Sequence, residues 1–337
     1  MTGFLSSLLP TGRRRASTVL TLAVLVAVLF LLPHVLSSFH TFVATRILIF
    51  AIFAMALNVV FGQGGMPSLG HAAFFGLGGY SVALGLSEWS WSFATIAVVA
   101  VLSGLVFGAL VGLLTIRTEG IYLLLLTLAV GQSLWALAFE LDITRGDNGI
   151  AGISRESITL GAQSPTAFYT FVLVVAVAAV IVMWLFVRSP VGRALVGARE
   201  SKSRVEAFGY RVWAFRVGAF ALSGAISATA GVLLVYLQGI ASPELLNWTL
   251  GAEVLVMAIL GGAGSFFGPA LGAVVVTMLE QFVSSYTERW TTVLGAVFIA
   301  TMLFLPNGLT ALTARLRRSG LTDDEIDPLP RTVREPA

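Results

Sequence analysis

The sequence predicts an all-α membrane protein, a bundle of helices that crosses the bilayer many times. Three observations carry this. Of its 337 residues, 57% are apolar and only 11% charged, with a mean hydropathy of +0.92. That is too little charge to cover a soluble domain of this length. Stretches of roughly 20 apolar residues recur along the chain, each long enough to span the hydrocarbon core. The 35 glycines suit transmembrane helices whose backbones pack closely. Cysteine is absent, which excludes a disulfide framework, a thiolate metal site and a thiol nucleophile.

Ten apolar segments are expected, at about 18–37, 42–61, 68–87, 93–115, 120–139, 167–187, 214–237, 248–263, 267–285 and 291–309, within a range of eight to ten crossings. The first follows Arg13-Arg14-Arg15 and resembles a signal peptide. Its apolar run is long for one, however, and Ser37-Ser38-Phe39 makes a poor cleavage site, so a retained helix is expected. The third and eighth segments are short and Gly-rich, and read as broken or re-entrant. Orientation follows from the basic residues. With residues 1–17 inside, ten crossings put Arg117, the basic segment described next, Arg315, Arg317 and Arg318 on the cytoplasmic side. Arg145, Arg155 and Arg289 then lie outside, and Arg46 falls within a span. An odd number would move one basic terminus outside. Residues 18–310 thus form the membrane domain, and 311–337 a Pro-rich, charged cytoplasmic tail expected to be disordered.

One segment breaks the apolar pattern. Between Arg188 and Arg216 stand six arginines and Lys202, the only lysine, against Glu200 and Glu206. Ser189 with Pro190 has the form of a helix cap and first position, and Gly209 can end a second short helix. Ser203 and Glu206 have capping-box spacing, with Val205 and Phe208 on one face as apolar anchors. The segment is either a docking surface for a soluble partner or a solvated loop whose arginines hold topology.

Within the spans, two glycine rows recur every four residues, Gly104, Gly108, Gly112 and Gly264, Gly268, Gly272. Such rows let a neighbouring backbone approach closely, for static packing or for a contact that rocks. The stretches Gly70–Gly76 and Gly264–Gly268 look alike but are too short to establish a duplication. Burying an ionisable group at mid-bilayer costs roughly 2.5–3.5 kcal/mol on insertion scales. Asn58, Gln63, Ser68, His71, Gln132 and Glu253 are therefore candidates for a translocation path or gate. Glu253 can line a water-filled path, pair with an arginine or sit protonated, and Glu280 lies in or near a span. Arg46 can snorkel to the outer interface. His71 has no metal-ligand spacing around it and reads as packed or turn-stabilising. No phosphate-loop motif is present, so this chain is not itself a P-loop ATPase. The Gly62-Gln63-Gly64-Gly65 cluster lacks the preceding strand of a dinucleotide site and reads as a tight reversal between helices.

Four ordered blocks between about residues 45 and 310 are similar to one family. Asn58-Val59-Val60-Phe61-Gly62-Gln63-Gly64-Gly65-Met66-Pro67-Ser68-Leu69-Gly70-His71-Ala72-Ala73-Phe74-Phe75-Gly76 resembles the signature of bacterial branched-chain amino-acid ABC permeases of the LivM type. Ser189–Ala194, Ala198–Glu200 and Ala207–Tyr210 resemble its cytoplasmic loop. Leu260–Pro269 resembles its late glycine motif and Leu305-Pro306-Asn307-Gly308-Leu309 its closing motif. The resemblance implies a permease of the bacterial inner membrane that works by alternating access. It would pair with a second, LivH-like permease on two cytoplasmic ATPase subunits, and an extracytoplasmic solute-binding protein would deliver the substrate. ATP and Mg would belong to the partners, with no cofactor, catalytic residue, metal or nucleic acid for this chain. Segment 188–213 becomes the ATPase-coupling segment, with Ser189, Pro190, Arg193, Arg199, Glu200, Lys202, Arg204, Glu206, Phe208 and Gly209 as its working residues. A urea or short-amide permease of the same family, an ion-coupled secondary transporter and a membrane scaffold are the competing readings. Two departures from the family pattern stand out. Arg199-Glu200-Ser201-Lys202 replaces Arg-Glu-Asn-Glu, and Arg145 replaces a glycine within Thr144–Ile150.

Overall fold

The computed structural model describes residue 24 and residues 26–158, 161–286, 289–304 and 308–310. The N-terminal arginines, the start of the first segment, Leu305-Pro306-Asn307, the arginines at 315, 317 and 318 and the tail lie outside the described residues. The described chain is helical almost throughout. Helix α1 spans Val26–Val35 and α2 Ser38–Asn58, capped by Ser37, and α2 runs on through a wider π-type turn at Val59–Gln63. Then come α3 (His71–Ser87), α4 (Phe93–Leu114), α5 (Gly120–Glu140) and α6 (Pro165–Arg188). Two short helices follow, α7 (Pro190–Glu200) and α8 (Lys202–Ala207), before α9 (Val212–Gln238). The last are α10 (Trp248–Gly261), α11 (Gly268–Ser284) and α12 (Trp290–Phe304).

Five stretches, Ser38–Gln63, Phe93–Arg117, Gly120–Glu140, Pro165–Arg188 and Val212–Gln238, are long and apolar enough to cross a membrane. The third and eighth expected segments become α3 and α10, of 17 and 14 residues, too short to span unaided at 1.5 Å per residue. The chain reaches α3 through the non-helical residues Met66–Gly70, so α3 starts inside the bundle, with Gly70 against the Thr127 backbone of α5.

Helix α9 is the central post. It is buried over most of its length and packs on α2, α3 and α4. Where α9 meets α4, the crossing is made by small residues. Gly104 faces the Gly224 backbone, Gly108 the Phe220 carbonyl and Gly112 the Val217 Cα. A second close approach joins α10 to α11, where Gly268 meets Gly261 and Gly272 meets the Met257 carbonyl. Gly264 does not continue that row. It lies in the turn before α11, with nothing within 4 Å of the place a Cβ would occupy, because the helix on which the four-residue spacing would count has not yet begun.

The outer faces of α4 and α5 expose Val98, Leu102, Leu105, Ile121, Tyr122 and Leu125, an apolar surface of the kind lipid or a partner helix covers. At the ends of α9 and of the loop after α5, Ile150–Ala151 pair antiparallel with Ile240–Ala241. This two-residue ladder is too short to leave an alternating pattern in the sequence.

Candidate functional site

The basic segment sits at the end of the bundle where α2, α4, α6 and α10 finish and α5, α9 and α11 begin. Ser189 accepts a hydrogen bond from Gly192 N at 3.1 Å, with Pro190 as the first residue of α7. This satisfies one of the free N–H groups at that terminus. Ser203 is not a cap. Helix α8 begins at Lys202, so Ser203 already lies inside its first turn, and Ser201 flanks it without a side-chain capping bond. Gly209, at φ +83°, closes α8 by donating its N–H to Glu206 O at 2.9 Å.

Much of the segment's charge is turned toward its own chain. Arg193 Nη1 donates to Arg188 O at 3.0 Å. Arg199 Nη1 donates to Gly62 O, and its aliphatic stem lies over Gly65. Lys202 Nζ pairs with Glu119 Oε1 at 2.8 Å in the loop between α4 and α5. Arg216, buried at 6% exposure, stands 3.6 Å from the same carboxylate and donates to Thr118 O at 2.9 Å and to the Met66 sulfur at 3.0 Å. The hydrogen bond from Lys202 holds the Glu119 carboxyl below the usual carboxylate range against the opposing effect of burial, with the positive charges of Lys202 and Arg216 adding to the lowering. Glu200, Arg204, Glu206, Phe208 and Arg211 remain exposed. Among the described residues, none of these four charges enters a salt bridge.

Two of the polar candidates, Ser68 and His71, meet just beneath this end. His71, fully buried at the start of α3, has Nδ1 2.7 Å from Ser68 Oγ and Nε2 2.9 Å from Ser223 Oγ. Ser223 Oγ donates its proton to Ala56 O at 2.6 Å, so it must accept from His71 Nε2–H. His71 Nε2 therefore carries a proton, and Nδ1 has Ser68 Oγ as its partner. One chain of hydrogen bonds thus ties α2, α3 and α9 together. Asn58 Nδ2 donates to Ser265 O at 3.0 Å, joining the end of α2 to the turn before α11. Gln63 sits half-buried in the glycine turn.

Gln132 and Glu253 do not join this group. Gln132 is on α5 with its Nε2 buried and without a hydrogen-bond partner among the described residues, and Glu253 is on α10, in its outer half. Arg46 does not snorkel alone. Its Nη2 pairs with Glu280 Oε1 at 2.8 Å across α2 and α11, which leaves Glu253 without that arginine as its hydrogen-bond partner. Sequence reasoning passed over Glu119, Ser223 and Thr127 because each is a lone polar residue whose partner lies 58 or more positions away. Among the described residues no group of three or more His, Cys, Asp or Glu could hold a metal.

At the opposite end a cleft is lined by Ile153, Arg155, Gln163, Tyr236 and Gly239. Arg155 donates to the carbonyls of Tyr236 and Leu237, both at 3.0 Å, and lies 4.7 Å from the centre of the Phe168 ring. It thereby caps α9.

Residues 39–305 match the family model described as the permease component of the branched-chain amino acid transport system. The chain belongs to this family. Among its relatives is the high-affinity branched-chain amino acid transport system permease protein LivM of Escherichia coli K12, 29% identical over 88% of this chain and 76% of that protein. The probable branched-chain amino acid transport permease protein LivM of Methanocaldococcus jannaschii is 25% identical, over 76% and 86%. The permease protein LivH of Escherichia coli K12 is 24% identical, over 77% and 90%. No solved structure matches the chain. The permease is thus a multi-pass membrane component of a branched-chain amino acid ABC transport system, a transport subunit and not a catalyst.

Proposed function

We propose that this permease is one half of a heteromeric importer. A LivH-like permease completes the membrane path, and two cytoplasmic ATPases dock on segment 188–213. An extracytoplasmic binding protein presents a branched-chain amino acid at the other end. Ten crossings, with both termini on the ATPase side, agree with the basic residues. Arg117 and the segment lie at one end of the bundle, Arg145 and Arg155 at the other. ATP binding in the partners would shift the permease between inward and outward states through differential contacts with the segment.

The observation that carries this reading is the division of labour within the segment. Arg199 and Lys202 fasten it to Gly62 and Glu119 elsewhere in the chain, while Arg204, Arg211 and Phe208 are exposed. Phe208 is 82% exposed at the tip of α8. An aromatic held out on a braced short helix and flanked by charge is what a partner's apolar groove recognises. The test is to replace Phe208 by Ala and, separately, Arg204 by Glu, then measure ATPase co-purification and leucine uptake. Both should fall while membrane insertion stays normal. Undiminished ATPase association in both variants would sink the docking claim. Uptake of urea in preference to leucine by the reconstituted system would redirect the substrate to the short amides.

A further inference from the structure

Helices α6 and α9 are joined covalently to the basic segment, so any movement of the segment reaches them through the backbone. Helix α3 has no such connection, yet it carries His71 and lies at the heart of the bundle. It is held to α9 through His71 and Ser223, and Arg216 reaches Met66 just ahead of it; a further link, from the end of α7 to the turn that leads into α3, passes through Arg199. That side chain leaves the end of α7, and its Nη1 donates to Gly62 O. Its stem crosses Gly65, which sits at φ +67°. A Cβ on that glycine would stand 2.7 Å from Arg199 Cγ and 3.3 Å from Arg199 Cβ, so only glycine leaves room for the arginine.

The turn gripped in this way has no slack. Gly62 is walled by Asn58 and the Ala263 carbonyl, Asn58 is bonded to Ser265 O, and Met66 lies under Arg216. Beyond Met66 the chain passes directly to Ser68 and His71, which are themselves hydrogen-bonded and held by Ser223. Arg199 is therefore fitted to the family's glycine signature from the side opposite the membrane core, although 137 positions separate it from Gly62.

We infer that Arg199 is a positioning residue of the transport cycle. It holds α7 to the Gly62–Gly65 turn while the segment moves, and so adds to the α9 contacts a direct tie that makes the start of α3 follow α7. The inference rests on the proposed ATPase-facing role of that segment. It gives Arg199 a different duty from Phe208: Phe208 meets the partner, whereas Arg199 passes the movement inward.

The absence of cysteine makes the contact testable by covalent rescue. Cysteines at Gly65 and Arg199 would have Cβ atoms about 3.3 Å apart, close to the span of a disulfide. The full transporter, with its ATPases and binding protein, is reconstituted and assayed for leucine uptake per ATP hydrolysed. Arg199→Cys alone should lower that ratio about tenfold, the equivalent of one charge-assisted hydrogen bond, with the ATPases still bound and hydrolysing. Oxidation of Gly65→Cys/Arg199→Cys should restore the ratio, and a reductant should remove it again. A ratio unchanged in Arg199→Cys, or uptake arrested by the cross-link, would overturn the inference.

Should the strained Gly65 position prevent insertion of the double variant, Arg199→Lys and Arg199→Met decide the matter. Lys keeps stem and donor and should stay partly coupled, whereas Met keeps the stem alone and should not. Equal ratios for the two variants would refute the inference. Loss of ATPase binding in Arg199→Met would make Arg199 a partner contact instead. Failure of the docking reading is separately visible as unaltered ATPase association in Phe208→Ala.

Discussion

Placing one methyl group at each of two glycines of the permease's buried seam and post gives effects of opposite sign. At Gly108 on α4, a Cβ would stand 3.0 Å from the Phe220 carbonyl carbon and 3.1 Å from Ala221 Cα, with the carbonyl oxygen closer still. Carbon atoms at rest prefer about 3.5–4.0 Å, so α4 and α9 must separate by roughly 0.5–1 Å along their closest approach. Such overpacking costs about 1–3 kcal/mol. Alanine's helix preference over glycine returns at most ~1 kcal/mol. Gly108→Ala should therefore destabilise the permease by about 1–2 kcal/mol. Gly218, on α9 itself, has nothing within 4 Å of its own Cβ position. Gly218→Ala meets no obstacle and should be neutral or stabilising by up to ~1 kcal/mol. Thermal unfolding of the purified full-length variants in one detergent provides the measurement. Equal shifts of the same sign would refute the claim that backbone contact, rather than glycine content, makes the seam.

Three further outcomes follow from side chains that bridge distant elements. Ser223→Ala leaves the His71 Nε2–H buried without an acceptor and should lower stability by about 1–3 kcal/mol, read by the same unfolding assay. Arg155→Ala removes two charge-assisted bonds to the end of α9 and should cost about 1.5–3 kcal/mol. Arg155→Lys should recover only part of this, since an ammonium lacks the two-pronged geometry. The Glu119–Lys202 tie is present in full above the ordinary carboxylate range and disappears as the pH falls through the lowered value of Glu119. It is exposed, so the expected contribution is only about 0.5 kcal/mol. Stability between neutral and acidic pH should lose that increment in the wild type but not in Glu119→Gln.

Local signals in the sequence proved legible where the structure builds on adjacent residues. Ser189-Pro190 opens α7 because a cap needs only the next three residues, and Gly104, Gly108 and Gly112 meet α9 because four-residue spacing is a property of one helix. The shortness of α3 and α10 was visible in the limited apolar runs around Gly70 and Gly251. The same logic misplaced Gly264 and Ser203, where the spacing was right but the helix starts elsewhere. Long-range pairing left no trace at all. Arg46 and Glu280 are 234 positions apart, so each appeared as an isolated charge with its own reason to be there. Arg199 read as one of several arginines offered to a partner, and only the fold turns it onto Gly62. A side chain's direction depends on which helix lies beneath it, and that is not a property of the segment's own residues.

The outer loop is fastened to the far end of α9 by the Ile150–Ala151 ladder, by Ile153 N–H donating to Gly239 O and by Arg155. The near end of the same helix follows directly on the basic segment. Its 27 residues make a lever about 40 Å long. A tilt of about 5° around its inner end would swing the outer end by roughly 3.5 Å at that length. The loop, with Arg145 and Arg155, rides on that end. A small rotation at the basic segment would thereby be magnified into a displacement of the surface at the other end of the bundle.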